Sequence, residues 1–180
     1  MAKQVLNNGE THGVIRGKIN DNFTELYTDI EAHKAEKVHI GKNPACAVFN
    51  GNPQSIPDNT LTTLTFTAEF FDTDAMFDVS TDNSKLICKI AGIYLIKGQA
   101  LFSPNAAGVR VLNLSQNGES ICQTSIPALA SGTGDLEVVA IRQLAVNEYI
   151  QLRVKQTSGG ALSTFVYGPL NTQFGMVRIG

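Results

Sequence analysis

The sequence predicts an all-β sandwich or jelly roll preceded by one short helix, and three observations carry that prediction. From residue 45 onward the chain reads as about ten short strand-like runs, separated by turn residues and without a helical period among them. Before residue 38 lies a single heptad-like stripe. Two of the later runs are apolar on both faces, which is more apolar surface than a soluble monomer normally exposes.

The first residues, MAKQVLNNGETH, are polar and turn-rich, so 1–13 predicts an extended arm that a partner would have to order. They contain no apolar h-region, and no run approaches the roughly eighteen apolar residues that cross a bilayer, so synthesis in the cytoplasm without a secretory signal or membrane insertion is expected. Over 14–38, Ile19, Phe23, Leu26, Ile30 and His33 recur at spacings of four, three, four and three, flanked by Glu25, Asp29, Glu31 and Lys34. A stripe this narrow suits the seam of a small parallel bundle, while one helix docked on its own domain is the alternative. His33 would then sit in the seam, as a packed or solvated imidazole or, where three copies meet, as a metal ligand.

The stretch HIGKNPACAVFNGNPQSIPDN carries Pro44, Pro53 and Pro57, which end the helix and open a second region, 39–180. Strands are predicted over 45–49, 61–67, 76–79, 85–102, 109–114, 120–124, 136–144, 148–157, 164–167 and 173–179, with turns at 104–105, 117–118, 132–134 and 159–160. The run 85–102 organises the rest. One of its faces holds Leu86, Cys88, Ile90, Tyr94, Ile96, Ala100 and Phe102, and the other holds Ile87, Ala91, Ile93, Leu95 and Leu101, with Gly92 small where so long a strand must bend. The run YIQLRVKQT is single-sided, with Ile150, Leu152 and Val154 inward. The last run, FGMVRI, is again apolar on both faces. Were these doubly apolar strands neighbours, self-association through their sheet would be the economical explanation, and Ile93, Leu95, Val177 and Ile179 join Ile19, Phe23, Leu26 and Ile30 as candidate trimer-interface residues.

Taken in order, SIPDNTLTTLTF, AEFFDTDAMFD, AGIYLIKGQALF, LNLSQNG with LAVNEYIQLRVKQTSGG, and the closing FGMVRI resemble the complement-one-q-like and tumour-necrosis-factor-like jelly roll, in the form found in bacteriophage virion proteins. Upstream, GVIRGKINDNFTELY is similar to the short helical segment near the amino end of phage tail and head fibre proteins. The resemblance implies a parallel homotrimer, with three jelly rolls around a threefold axis behind a helical coiled-coil stem. The stem is short for a fibre shaft, which fits a head fibre or a tail-tip attachment module.

Chemistry is sparse. A net charge of −2 supplies no electrostatic footprint for nucleic acid or an anionic membrane. Cys46, Cys88 and Cys122 stand in no CxxC spacing and read as structural free thiols. Asp72, Asp74 and Asp78, with Asp82 and Asn83 nearby, place oxygen ligands at alternate positions as calcium would need, but the loop lacks the glycine and terminal Glu of an EF-hand; turn formation is the simpler role. No nucleophile elbow, phosphate loop or positioned carboxylate pair is present, so neither enzyme activity nor a cofactor is expected. The expected function is a virion fibre, with the arm bound to other virion proteins and the loops 50–59, 103–108, 127–134 and 157–163 facing a host-surface glycan or protein through Asn52, Gln54, Asn105, Ser131, Thr133 and Ser158. A cellular adhesion or signalling module of the same fold and a capsid decoration without ligand are the alternatives.

Overall fold

The computed structural model describes residues 9, 11–38, 43–129, 131–167 and 172–180, with helix side chains described up to residue 30. Most of the arm 1–13 and the His33 side chain thus lie outside the described residues. The chain forms two compact units, Met1–Asn43 and Pro44–Gly180.

The first unit is the helix α1, His12–Val38, two residues earlier than the stripe predicts and running through Gly13 and Gly17. Thr24 and Thr28 bond back to the carbonyls of Asn20 and Thr24, which absorbs their hydroxyls within the helix. Ile19, Phe23, Leu26 and Ile30 are all exposed. No helix is long and apolar enough to cross a membrane among the described residues.

The second unit is an antiparallel jelly-roll sandwich. Its first sheet has the order β4 (Ala68–Asp72), β1 (Ala45–Asn50), β12 (Thr172–Arg178), β6 (Gly92–Phe102) and β9 (Gly134–Leu144). The second has the order β3 (Thr62–Thr63), β10 (Tyr149–Gln156), β7 (Val109–Gln116) and β8 (Glu119–Pro127), with β5 (Leu86–Ile87) also pairing β10. A small ladder joins β2 (Ser55–Ile56) to β11 (Leu162–Ser163). Strand alternation builds the core, as period two requires: Tyr94, Ile96, Ala100, Phe102, Leu136, Val138, Phe174 and Met176 from the first sheet meet Leu112, Leu114, Ile150, Leu152 and Val154 from the second. Gly98 faces inward on β6, where a Cβ would stand 2.3 Å from Leu152 Cδ1, so its bareness admits the opposing leucine.

Four expectations need correction. The run 85–102 is not one strand: Leu86–Ile87 belongs to the second sheet and Gly92–Phe102 to the first, and the chain changes layers between them, held by Cys88 N–H donating to Glu148 O (2.8 Å). Gly92 marks the arrival point, because a Cβ there would lie 2.5 Å from Gly180 O. Over 61–67 only Thr62–Thr63 is a strand, since Leu64 bonds Leu152, Phe66 bonds Asn83 and Thr67 bonds Phe49, so the segment serves different partners in turn. The segment 76–79 is no strand but a loop that buries Met76 and Phe77, and Ala68–Asp72, for which no strand is predicted, forms the edge strand β4 with a bulge at Ala47/Val48. The run 164–167 likewise gives way to the earlier, shorter β11, leaving bridges only.

Candidate functional site

Two surfaces of the sandwich are candidates for function, and register builds the first. The outward residues of the first sheet line up across four strands as Ala45, Val177, Leu95 and Ile141, and in the next row as Phe71, Ala47, Gly175, Lys97 and Val139. The two doubly apolar runs are therefore adjacent, with Val177 opposite Leu95. Ile93 is 44% exposed, Leu95 36%, Val139 46% and Ile141 56%, while Ile179 and Phe71 are also exposed. Lys97 and Glu137 form an ion pair (2.9 Å) within this apolar field. The sequence reading named Ile93, Leu95, Val177 and Ile179; it missed Val139 and Ile141, although the alternation within 136–144 already placed both outward.

Beside that row lies a hollow of about 230 Å³, lined by Ala47, Phe70, Phe71, Leu95, Gly175 and Val177 among others. Gly175 makes its floor, for a Cβ there would press on Cys46 O at 2.9 Å and on Ala47 Cβ at 3.3 Å. Cys46 lies beneath it with its thiol pushed well above the usual range, mainly by burial and secondarily by the nearby Asp72 and Glu69 carboxylates. It is a packing thiol, as the sequence suggests.

The second surface is one end of the sandwich. Asn50 pairs Thr172 and Phe102 pairs Gly134 in the first sheet, while Val109 pairs Pro127 and Arg110 pairs Gln156 in the second, so the loops 50–59, 103–108, 127–134 and 157–163 all leave from the same end. The chain enters the sandwich at the other end, where Ala45 pairs Val177. Direct bonds tie the loops together: Thr164 N–H to Gln54 O (2.8 Å), Ser103 N–H to Ser163 O (3.0 Å) and Gly159 N–H to Asp58 Oδ1 (2.9 Å).

The candidate ligand residues divide by what their polar groups already do. Gln54 spends its amide internally, donating to Thr63 O and accepting from Thr65 N–H. Ser158 donates its hydroxyl to Gly160 O (3.1 Å). Asn105 accepts from Ala107 N–H with its side chain and from Arg110 with its carbonyl. Asn52 and Ser131 are exposed, and Thr133 is half-buried. Gln156, which the alternation of β10 marked only as the end of a strand, is fully buried; it donates to Ile56 O and Gly160 O and accepts from Ser158 N–H, bracing two of the loops.

The acidic stretch is a set of turns at the entry end. Asp72 accepts from the N–H groups of Asp74 and Phe77. Asp78 accepts from the N–H and hydroxyl groups of Ser80 and Thr81, which hold its carboxyl below the ordinary range, the two hydroxyls most of all. Asp74 accepts from the Thr73 hydroxyl. Among the described residues no three His, Cys, Asp or Glu side chains converge as metal ligands.

No protein-family profile and no curated protein matches the chain. Solved structures do resemble it in fold. A crystal structure of murine APRIL at pH 5.0 is 15% identical, with a TM-score of 0.57 over 77% of this chain and 100% of that one. Murine APRIL at pH 8.0 gives 16% and a TM-score of 0.59 over the same shares. The globular domain of zebrafish complement 1qA protein is 15% identical, with a TM-score of 0.55 over 76% of this chain and 98% of that one. The sandwich is therefore a jelly roll of the tumour-necrosis-factor and complement-one-q type.

Proposed function

We propose that this chain is the subunit of a short homotrimeric virion fibre, in which the helix is the stem, the outer face of the first sheet packs copy against copy, and the loop end meets the host surface. The observation that carries the reading is the polarity of the sandwich: an apolar face runs along one sheet, and four polar loops gather at the end opposite the chain entry. A hollow spanning β4, β1, β12 and β6 and an exposed Val139–Ile141 pair on β9 are two different patches of one face, which suits a heterologous contact that closes a ring rather than a twofold contact of like with like. The exposed heptad seam of α1 supports a stem of several copies. The virion role itself is supported by the likeness of GVIRGKINDNFTELY to phage fibre stems. The arm 1–13 would be the anchor to other virion proteins.

Light scattering behind size exclusion is expected to return three times 19.3 kDa. Antibody-labelled electron microscopy of virions from the producing host is expected to place the chain on the particle, and the isolated trimer is expected to bind host cells in a manner lost on shortening the loops. A trimer that labels no virion but decorates a cell surface would favour a cellular adhesion or signalling module, a reading supported by the mouse and zebrafish origin of the like-folded structures. Labelled virions whose trimer binds no cell would favour capsid decoration.

A further inference from the structure

Arg110, the second residue of β7 at the loop end, is 2% exposed, yet among the described residues no carboxylate pairs with it. Its charge is met by main-chain oxygens instead. Nη1 donates to Ala107 O (2.9 Å) and Val109 O (3.3 Å), Nη2 donates to Asn105 O (3.0 Å), and the guanidinium lies 5.8 Å from the centroid of the Phe102 ring. A planar fork with several fixed donors can hold three carbonyls of one loop in a single arrangement, which the compact ammonium of a lysine cannot. Leaving such a cation buried with fewer partners is costly, so the guanidinium and the loop conformation enforce each other.

That loop is also the meeting point of two others. Gly108 takes a φ of +78°, and a Cβ on it would fall 1.7 Å from Thr157 O, so its backbone is pressed against the 157–163 loop. Gly108 O accepts from Ala128 N–H (2.9 Å), at the start of the 127–134 loop. Val109 N–H donates to Thr157 Oγ1 (2.9 Å), and Thr157 N–H returns a bond to Val109 O (3.1 Å).

We infer that Arg110 is the positioning residue of the loop end: by gripping the carbonyls of Asn105, Ala107 and Val109 it fixes Gly108 against Thr157 and Ala128, so that three loops are held as one presenting surface. Its importance for recognition rests on the loop-end reading above, whereas the coupling of the loops does not.

The test is hydrogen exchange by mass spectrometry on the intact chain, comparing wild type with Arg110→Lys and Arg110→Met, beside Thr157→Val as a milder variant that removes only the hydroxyl acceptor of Val109 N–H. In both Arg110 variants, peptides spanning 103–109, the Ala128 segment and 157–160 are expected to exchange at least about tenfold faster, while β1 and the entry-end half of β6 keep their protection. Thr157→Val is expected to speed the same three segments to a smaller degree. Wild-type exchange in Arg110→Lys would overturn the inference, because charge alone would then suffice. Acceleration confined to 103–109 would overturn the coupling, and equal acceleration in every strand would make Arg110 a residue of global stability only. Should the Arg110 variants fail to fold, Thr157→Val decides: acceleration of all three segments supports the coupling, and acceleration of one refutes it. Host-cell binding by the same proteins is a separate readout. Wild type that binds no cells refutes the loop-end reading, and the exchange pattern still decides the role of Arg110.

Discussion

Replacing Leu95 by Asp is the sharpest probe of the apolar face. Burying a leucine side chain completely contributes about 1.5–3 kcal/mol. The sandwich already covers most of Leu95, and with 36% of the residue still exposed, about one third of that value, ~0.5–1 kcal/mol per copy, remains to be gained on association. Leu95→Ala should therefore weaken a trimer only modestly. An aspartate in the same place would be enclosed between Val177 and Ile141, and the nearest cation on the face, Lys97, is already engaged by Glu137. An uncompensated buried charge costs about 3–5 kcal/mol, so three copies lose at least ~9 kcal/mol, or about six powers of ten in the association constant. A trimer at micromolar concentration should become a folded monomer, because Tyr94 and Ile96, the inward neighbours, are untouched. The assay is light scattering behind size exclusion, with circular dichroism to establish the fold and Lys155→Asp, outward on the other sheet, as the control. A trimeric Leu95→Asp protein, or equal dissociation of Lys155→Asp, would refute the assignment of the interface to this face.

Further outcomes follow from other features. Deleting residues 1–37 should leave a trimer, since so short a seam seldom holds copies together alone; dissociation of the truncated protein in the same light-scattering assay would make the helix the assembly device. Gly98→Ala drives a methyl into Leu152 at the centre of the core and should cost about 1–3 kcal/mol, read as a melting temperature lower by about 3–10 °C, whereas Gly160→Ala, in open space, should be nearly silent. The Glu148 carboxylate is held below its ordinary value of 4.5, first by Ala145 N–H and then by the amides of Asn117 and Gln116. A lowered folded value means that its contribution is present above pH ~4.5 and is lost as pH falls through the folded value. In urea titrations Glu148→Gln should thus be less stable than wild type at pH 7, and the gap should close in acid; a gap that widens in acid would reverse the sign.

Period and punctuation made much of this molecule readable before any coordinates. The stripe Ile19, Phe23, Leu26 and Ile30 could only be one face of a helix, and Pro44, Pro53 and Pro57 beyond it excluded a helix from the stretch that follows, because proline is not tolerated in a helix interior. Alternation fixed which side of β6, β10 and β12 faces the core, since side chains of an extended chain have no third direction to take. The second apolar set on β6 and β12 likewise announced an apolar outer face. Tertiary structure alone decided which strands are neighbours. Nothing local distinguishes the residues that change layers near Cys88 from those that continue a strand, because both are extended and apolar, and only the partners offered by Glu148 on one side and Gly180 on the other separate them. The same holds for the loop end. Four loops far apart in sequence share it because the register of Arg110 with Gln156 and of Phe102 with Gly134 brings them there. Arg110 and Gln156 read as ordinary polar residues of a strand until the packed sandwich removes water from them, and only then must their hydrogen bonds be met by the loops they hold.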